Sequence, residues 1–249
     1  MDINHLKQRA AEAAAGYLQS GMVVGLGTGS TARFAILKIA QFLRDGTLTD
    51  IICIPTSRET ETLARSLGIP LTTLHEHPEI DITIDGADEV SAELDLIKGG
   101  GGALLREKIV AQASTRNIII TDAGKLSEKL GEKWCVPIEV IPFALEPEKR
   151  FLERMGATLS IRSAKDGSRF VTDENNLILD ARFGVVNDPA SLATLLNERA
   201  GIVEHGLFPG IATEVIAAFP GEIVCFHNED DPEQYLRKLR RLKDDQQEA

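Results

Sequence analysis

Short apolar runs and amphipathic stretches alternate along the first half of the chain. HLKQRAAEAAAGYL (5–18) has the alanine and leucine content of a helix. MVVGLG (22–27) reads as a buried strand, and STARFAILKIAQFLRD (30–45) as an amphipathic helix. IICIPT (51–56) is a second strand. SRETETLARSLG (57–68) is a helix with Ser57 as N-cap and Gly68 closing it. PLTTL (70–74) and DITID (81–85) predict two further strands, LDLIKGG a strand end, ALLREKIVAQAS (103–114) a helix, and RNIIITDA (116–123) a strand. Strands that read as apolar runs and alternate with helices predict a parallel sheet covered on both faces. Ligands of such sheets bind beyond the carboxyl ends of the strands.

The pattern changes after about Trp134. VPIEVIPFAL reads as strand, EPEKRFLERMG as helix and ATLSIRS as strand. FVTDENNLILDARF reads as a hairpin turning at Glu174-Asn175-Asn176, SLATLLNERAG as helix and EHGLF as a short strand. This β-α-β-β-α-β order predicts a split βαβ, ferredoxin-like subdomain. EIVCFHN (222–228) predicts a strand returning to the first sheet, and the charged tail a helix that frays at its end. The expected architecture is α/β: a Rossmann-like parallel sheet with helices on both faces, plus a smaller α+β subdomain. The expected domains are 1–133, completed by about 208–249, and 134–207.

The 249 residues suffice for a sizeable core. A formal net charge of -11 argues against nucleic acid as partner, although a pocket can still be locally basic. The N-terminus lacks the apolar core of a signal peptide and no run is long enough to span a bilayer, so no membrane partner is expected. Cys53, Cys135 and Cys225 are far apart, in apolar runs and without CxxC spacing. That disfavours a disulfide framework or a zinc site and suits buried thiols in a reducing cytoplasm.

Four loops carry candidate chemistry. VVGLGTGST (23–31) has the strand, glycine turn and helix order in which backbone N–H groups face an anion, with hydroxyls at Ser30 and Thr31. It is not a dinucleotide fingerprint: Ser30 occupies the third glycine position, and the second strand ends in Pro55-Thr56-Ser57, without an acid for a ribose. It is not a Walker A loop, because no Lys-Ser/Thr pair follows. A small phosphate remains, or simply a tight turn. In IDGADEV, Asp85 and Asp88 flank Gly86 and Ala87; they could bind a cation, carry protons or hold sugar hydroxyls, whereas Glu89 reads better as a cap on backbone N–H groups. His75 and His77 precede that strand and should lie at its opposite end. KGGGGALLREK (98–108) has four consecutive glycines, costly to order unless backbone must approach a ligand. There Lys98 could offset an oxyanion and Glu107 take a proton, although Glu107 out of context is a solvated helix acid. TDAGK (121–125) adds Lys125. All four loops are expected to follow parallel strands and to converge on one edge. Such an inventory suits proton abstraction beside the carbonyl of a sugar phosphate.

GLGTGSTA, DGADE, KGGGGALLREK and VEHGLF, in this order, resemble the ribose-5-phosphate isomerases of the type A family across about residues 6–208. The resemblance implies interconversion of D-ribose 5-phosphate and D-ribulose 5-phosphate in the pentose phosphate pathway, without metal or organic cofactor. It implies Glu107 as the base that moves a proton between C1 and C2, with Lys98 by the oxyanion and Asp85 assisting ring opening. Substrate contacts would come from Lys7, Thr28, Gly29, Ser30, Thr31, Asp85, Gly86, Ala87, Asp88, Lys98, Gly99, Gly100, Gly101 and Lys125. It implies a homodimer or a tetramer. Residues 209–228 and the tail depart from the family pattern, as does the fourth glycine of the turn. Two other readings are an NAD(P)-linked oxidoreductase, disfavoured by the broken fingerprint, and a non-catalytic sugar-phosphate sensor, which would not need Glu107 or Lys98.

Overall fold

The structure, a computed structural model, describes residues 2–247, with side chains through residue 241. In chain order, α1 (Ile3–Ala15) precedes β1 (Val23–Leu26), α2 (Ser30–Asp45), β2 (Ile52–Pro55), α3 (Arg58–Ser66) and β3 (Ile80–Gly86). Two-residue strands β4 (Glu89–Val90) and β5 (Leu96–Ile97) lead to α4 (Leu104–Gln112) and β6 (Ser114–Asp122). The next group is β7 (Val136–Val140), α5 (Leu145–Arg154), β8 (Thr158–Ile161), β9 (Leu177–Arg182), α6 (Pro189–Asn197) and β10 (Ile202–His205). The chain closes with β11 (Leu207–Phe208), β12 (Glu214–Ala218), β13 (Ile223–His227) and α7 (Pro232–Gln247).

The main sheet has the order β13-β12-β6-β3-β1-β2, parallel except for β13 at its edge. Alternation along single strands assigns its two faces. Ile118, Ile120 and Ile216 join α1 and α2 in one apolar cluster. Ile119, Val215 and Ala217 point the other way, towards Phe208 and towards Tyr235 and Leu239 of α7. The sheet is therefore covered on both sides, which suits the isoleucines and valines of its central strands. From β1 the chain winds through α2 to β2 on one side, whereas β3 lies on the other side of β1. This is a switch point, and it opens a crevice between the carboxyl ends of β1 and β3.

The second sheet runs β10-β7-β9-β8 and is antiparallel throughout. Its β-α-β-β-α-β chain order is the split βαβ read from the sequence. A third sheet, β11-β5-β4, bridges the region between the other two.

Several elements differ from the expectation. PLTTL forms no strand; Leu71 makes one isolated bridge to Cys53. The run before Lys98 is β5, an antiparallel piece of the small sheet, so the glycine turn does not follow a parallel strand. The expected hairpin arm at Phe170 is irregular, and β9 pairs with β8 instead. EHGLF splits at Gly206 into β10 and β11, which belong to different sheets. Strand β12 was not predicted; its five residues are all buried. The expected fraying of the tail falls on residues 248–249, outside the described residues.

Glu89 is fully buried and accepts N–H bonds from Gly131 at 2.9 Å, Lys133 at 2.9 Å and Trp134 at 3.2 Å, and an O–H bond from Ser127 at 2.6 Å. It caps backbone, as expected, but of a loop forty residues on rather than its own turn. Removing the carboxylate would orphan several buried donors. Glu89→Ala is expected to lower stability by about 3 kcal/mol or more, and Glu89→Gln by less, in urea unfolding.

Candidate active site

Every residue expected to contact a ligand, except Asp85, lines one cleft at the switch point. The Thr28 to Thr31 segment enters from β1, the Gly86 to Asp88 segment from β3, and Gly99 to Gly101 from the turn after β5. Glu107 comes from the first turn of α4, Lys7 from α1 and Lys125 from a short 3-10 turn after β6.

The turn after β1 needs glycine for close approach. A Cβ on Gly27 would sit 2.1 Å from Asp85 Oδ1. The backbone can therefore lie against the Asp85 carboxylate, which accepts the N–H of Thr28 at 3.0 Å and of Gly86 at 2.7 Å. Helix α2 then begins at Ser30 without a side-chain cap. Its free first-turn N–H groups and positive dipole end lie on the cleft. Lys7 Nζ lies 3.0 Å from Ser30 Oγ, and the Lys125 ammonium stacks 4.5 Å from the Trp134 ring centroid. This end of the cleft is built for an anion. The Thr28 hydroxyl does not serve it: it is bound to Thr56, Ser57 and Thr60 hydroxyls at 2.7, 2.8 and 3.2 Å.

At the other end is a buried ion cluster. Lys98, 4% exposed, places Nζ 3.0 Å from Asp85 Oδ2 and 3.4 Å from Glu107 Oε2, and donates to Gly86 O at 2.5 Å. Asp88 Oδ2 accepts the Gly100 N–H at 2.6 Å. Burial alone would lower the Lys98 pKa, but the Asp85 and Glu107 carboxylates outweigh it and raise it. One ammonium cannot neutralise two buried carboxylates. Asp85 is saturated by two N–H groups and Lys98; Glu107 Oε2 has no hydrogen-bond partner. Glu107 is accordingly the group pushed towards the protonated form, up to about 8: burial raises it, Lys98 opposes, and Asp85 and Asp88 add to the rise. Glu107 is 4% exposed rather than a solvated helix acid.

Asp85 is 3% exposed and does not line the cleft. Its contacts are those of a group that holds Lys98 and the β1 turn. Two residues that the sequence did not single out hold the frame. Arg162, on the loop after β8, donates to Gly99 O at 2.7 Å and Gly100 O at 3.0 Å while pairing with Asp180. Lys108, next to Glu107, is buried; it pairs with Glu204 at 2.5 Å and donates to His205 O at 2.8 Å, tying α4 to β10. No local motif marks Arg162. The VEHGLF stretch carries the Lys108 partners, so proximity of two motifs was the available signal.

The raised Glu107 pKa has a sign for stability. The folded protein keeps the proton between about 4.5 and about 8, where the unfolded chain has lost it. Its contribution to stability therefore falls as pH rises through that window. Glu107→Gln removes this slope; denaturation at pH 5 and pH 8 is expected to show the variant gaining on the parent at the higher pH.

A sequence profile described as Ribose 5-phosphate isomerase A (phosphoriboisomerase A) matches residues 52–221. A protein of Desulfatibacillum aliphaticivorans named Ribose-5-phosphate isomerase A is 57% identical over 213 residues, 86% of this chain and 93% of its own length. One of the same name from Chloroflexus aurantiacus is 55% identical over 214 residues, 86% of this chain and 90% of its own length. Among solved structures, the ribose 5-phosphate isomerase of Plasmodium falciparum is similar with a TM-score of 0.88 at 41% identity, covering 91% of this chain and 100% of that one. A D-ribose-5-phosphate isomerase in complex with phospho-erythronic acid has a TM-score of 0.89 at 36% identity, with the same coverage of each chain.

Proposed function

This chain belongs to the ribose 5-phosphate isomerase A family, and from that premise we propose how its cleft interconverts D-ribose 5-phosphate and D-ribulose 5-phosphate in the pentose phosphate pathway. The observation that carries the reading is the buried Glu107 oxygen, without a hydrogen-bond partner and 3.4 Å from the Lys98 ammonium, in the cleft. The substrate phosphate takes the uncapped N-terminus of α2, with the Ser30 and Thr31 hydroxyls and the Lys7 and Lys125 charges around it. That fixes the sugar chain so that its carbonyl end lies between Lys98 and Glu107. In the open-chain aldose, Glu107 removes the proton from C2. The electrons form the C1–C2 double bond and leave negative charge on O1. The Lys98 ammonium offsets that charge in a site shielded from water. The hydroxyl proton of O2 is lost, O1 regains a proton, and Glu107 returns its proton to C1, giving the ketose.

Asp85 acts through Lys98 by holding its ammonium in place, and Asp88 accepts sugar hydroxyls. Gly86, Ala87 and Gly99 to Gly101 offer backbone close to the sugar. The α/β part, residues 1–133 completed by 208–249, supplies the reacting groups; the part from 134 to 207 steadies the glycine turn through Arg162. Phospho-erythronic acid, held by a relative, carries a phosphate and a carboxylate, as this cleft has an anion site and an ammonium. The protein works as a homodimer, with a tetramer as the second choice; the 95% exposed Phe143 is a side chain that a second copy would cover. Its cysteines are all free, as suits the cytoplasm. No helix among the described residues is long and apolar enough to cross a membrane.

The test is incubation with ribose 5-phosphate in EDTA without a nicotinamide cofactor, following ribulose 5-phosphate. Turnover at the untreated rate is expected. Tight binding without conversion would favour the sensor, and a loss restored by Mg²⁺ would favour a metal at Asp85 and Asp88. Glu107→Gln is expected to lose about 10²–10⁴-fold in kcat with KM little changed, and near-parental kcat would remove Glu107 as the base.

A further inference from the structure

A second cluster lies at the opposite end of the main sheet. Glu214 begins β12, opposite Ile118 of β6, whereas Ala218 at its other end faces Asp122, just before the Lys125 turn. Four residues of strand, about 13 Å, separate this end from the cleft edge. Glu214 pairs across the ladder with His227, and Cys225 is two residues before His227 on β13. Period-two geometry puts all three side chains on one face. A carboxylate oxygen, a thiol sulfur and an imidazole nitrogen there lie within 4.8 Å of one another.

The Glu214 carboxylate is prepared on one side only. Arg116 donates to Oε1 from Nε at 3.1 Å and from Nη2 at 2.5 Å. Oε2 is buried without a hydrogen-bond partner, in a residue only 6% exposed. An unsatisfied buried carboxylate oxygen is costly unless a proton or a cation completes it. Cys225 is half-buried, with the Tyr17 phenol as neighbour; burial and then the Glu214 charge keep its thiol protonated above the usual range. His227 is exposed. Asp230, whose Oδ2 accepts the His227 backbone N–H at 2.8 Å, adds a negative charge that offsets the positive charge of Arg116.

We propose that Glu214, Cys225 and His227 form a site for a borderline-soft divalent transition ion of the zinc class. Carboxylate, thiolate and imidazole are together a zinc donor set, with a fourth position left to water. Tetrahedral ligands bonded at about 2.0–2.3 Å stand about 3.5 Å apart. Closing the cluster from 4.8 Å requires a shift of roughly 1 Å, within reach of the exposed His227. Binding displaces the thiol proton to solvent, and the ion then links the edge strand β13 to β12. Its ligands, Cys225-x-His227 on β13 and Glu214 across the ladder on β12, have no CxxC spacing. It is remote from the cleft and takes no part in the isomerisation.

The test titrates EDTA-stripped full-length protein with Co²⁺ and follows the near-ultraviolet thiolate-to-cobalt band. A band saturating at a single equivalent and erased by Zn²⁺ is expected. Cys225→Ser should abolish it and His227→Ala should weaken binding at least tenfold, with isomerase turnover unchanged in both. No band in the parent, a band that survives Cys225→Ser, or equal affinity in His227→Ala would overturn the site. Because His227 is exposed, that variant should fold even if changes at Cys225 perturb the sheet.

Discussion

A single buried ammonium between two carboxylates organises this protein. Lys98 contacts Asp85 at 3.0 Å and Glu107 at 3.4 Å, and the three come from separate pieces of chain. At an effective dielectric of about 20, a unit pair at 3 Å is worth about 5 kcal/mol, comparable with the several kcal/mol that burying an ion costs. One such pair roughly balances; a third ion does not. The imbalance falls on Glu107, because Asp85 already accepts two backbone N–H groups and Glu107 Oε2 accepts none. A carboxylate that neither state of protonation satisfies fully is what reversible proton transfer needs.

The rest of the fold keeps that cluster in place. The switch point between β1 and β3 brings Gly27 against Asp85, and the uncapped start of α2 lies at the far end of the same cleft. The second sheet reaches over through Arg162, which holds the carbonyls of Gly99 and Gly100 and so sets the turn that carries Lys98. Lys108, bound to Glu204 and His205, anchors the helix that carries Glu107. The two sheets thus meet in the geometry of a lysine and a glutamate.

Much of this was legible in the sequence, for reasons that also mark where legibility ends. The strands β1 and β6 are built on short apolar runs, VV and III, and β3 alternates isoleucine with Asp and Thr; burial of the middle of the sheet on both faces favours such strands. Strand β12 escaped because TEVIAAF mixes alanines with β-branched residues, a composition that does not separate strand from helix. The strands β4 and β5 have two residues each, too few for any periodicity; tertiary pairing makes them. Residue identity named side chains that the fold gathers at one cleft, without saying which way they point. Asp85 and the Thr28 hydroxyl were expected to face a sugar phosphate; Asp85 instead lies behind Lys98, and the hydroxyl is spent on Thr56, Ser57 and Thr60. Arg162 and Lys108 act through long-range contacts that no local pattern encodes.

The central claim is that the charge imbalance around Lys98 places the ionisation of Glu107 in control of the reaction. The pH dependence of kcat/KM tests it most directly. Since the base must be ionised, the rate should rise about tenfold per pH unit and level off near 8, the value to which Glu107 is raised. The substrate phosphate ionises near 6 and adds an inflection that is separate from it. A profile that is flat from about pH 6.5 upwards would contradict the account, because it would mean that Glu107 is already ionised like an ordinary carboxylate or that another group moves the proton.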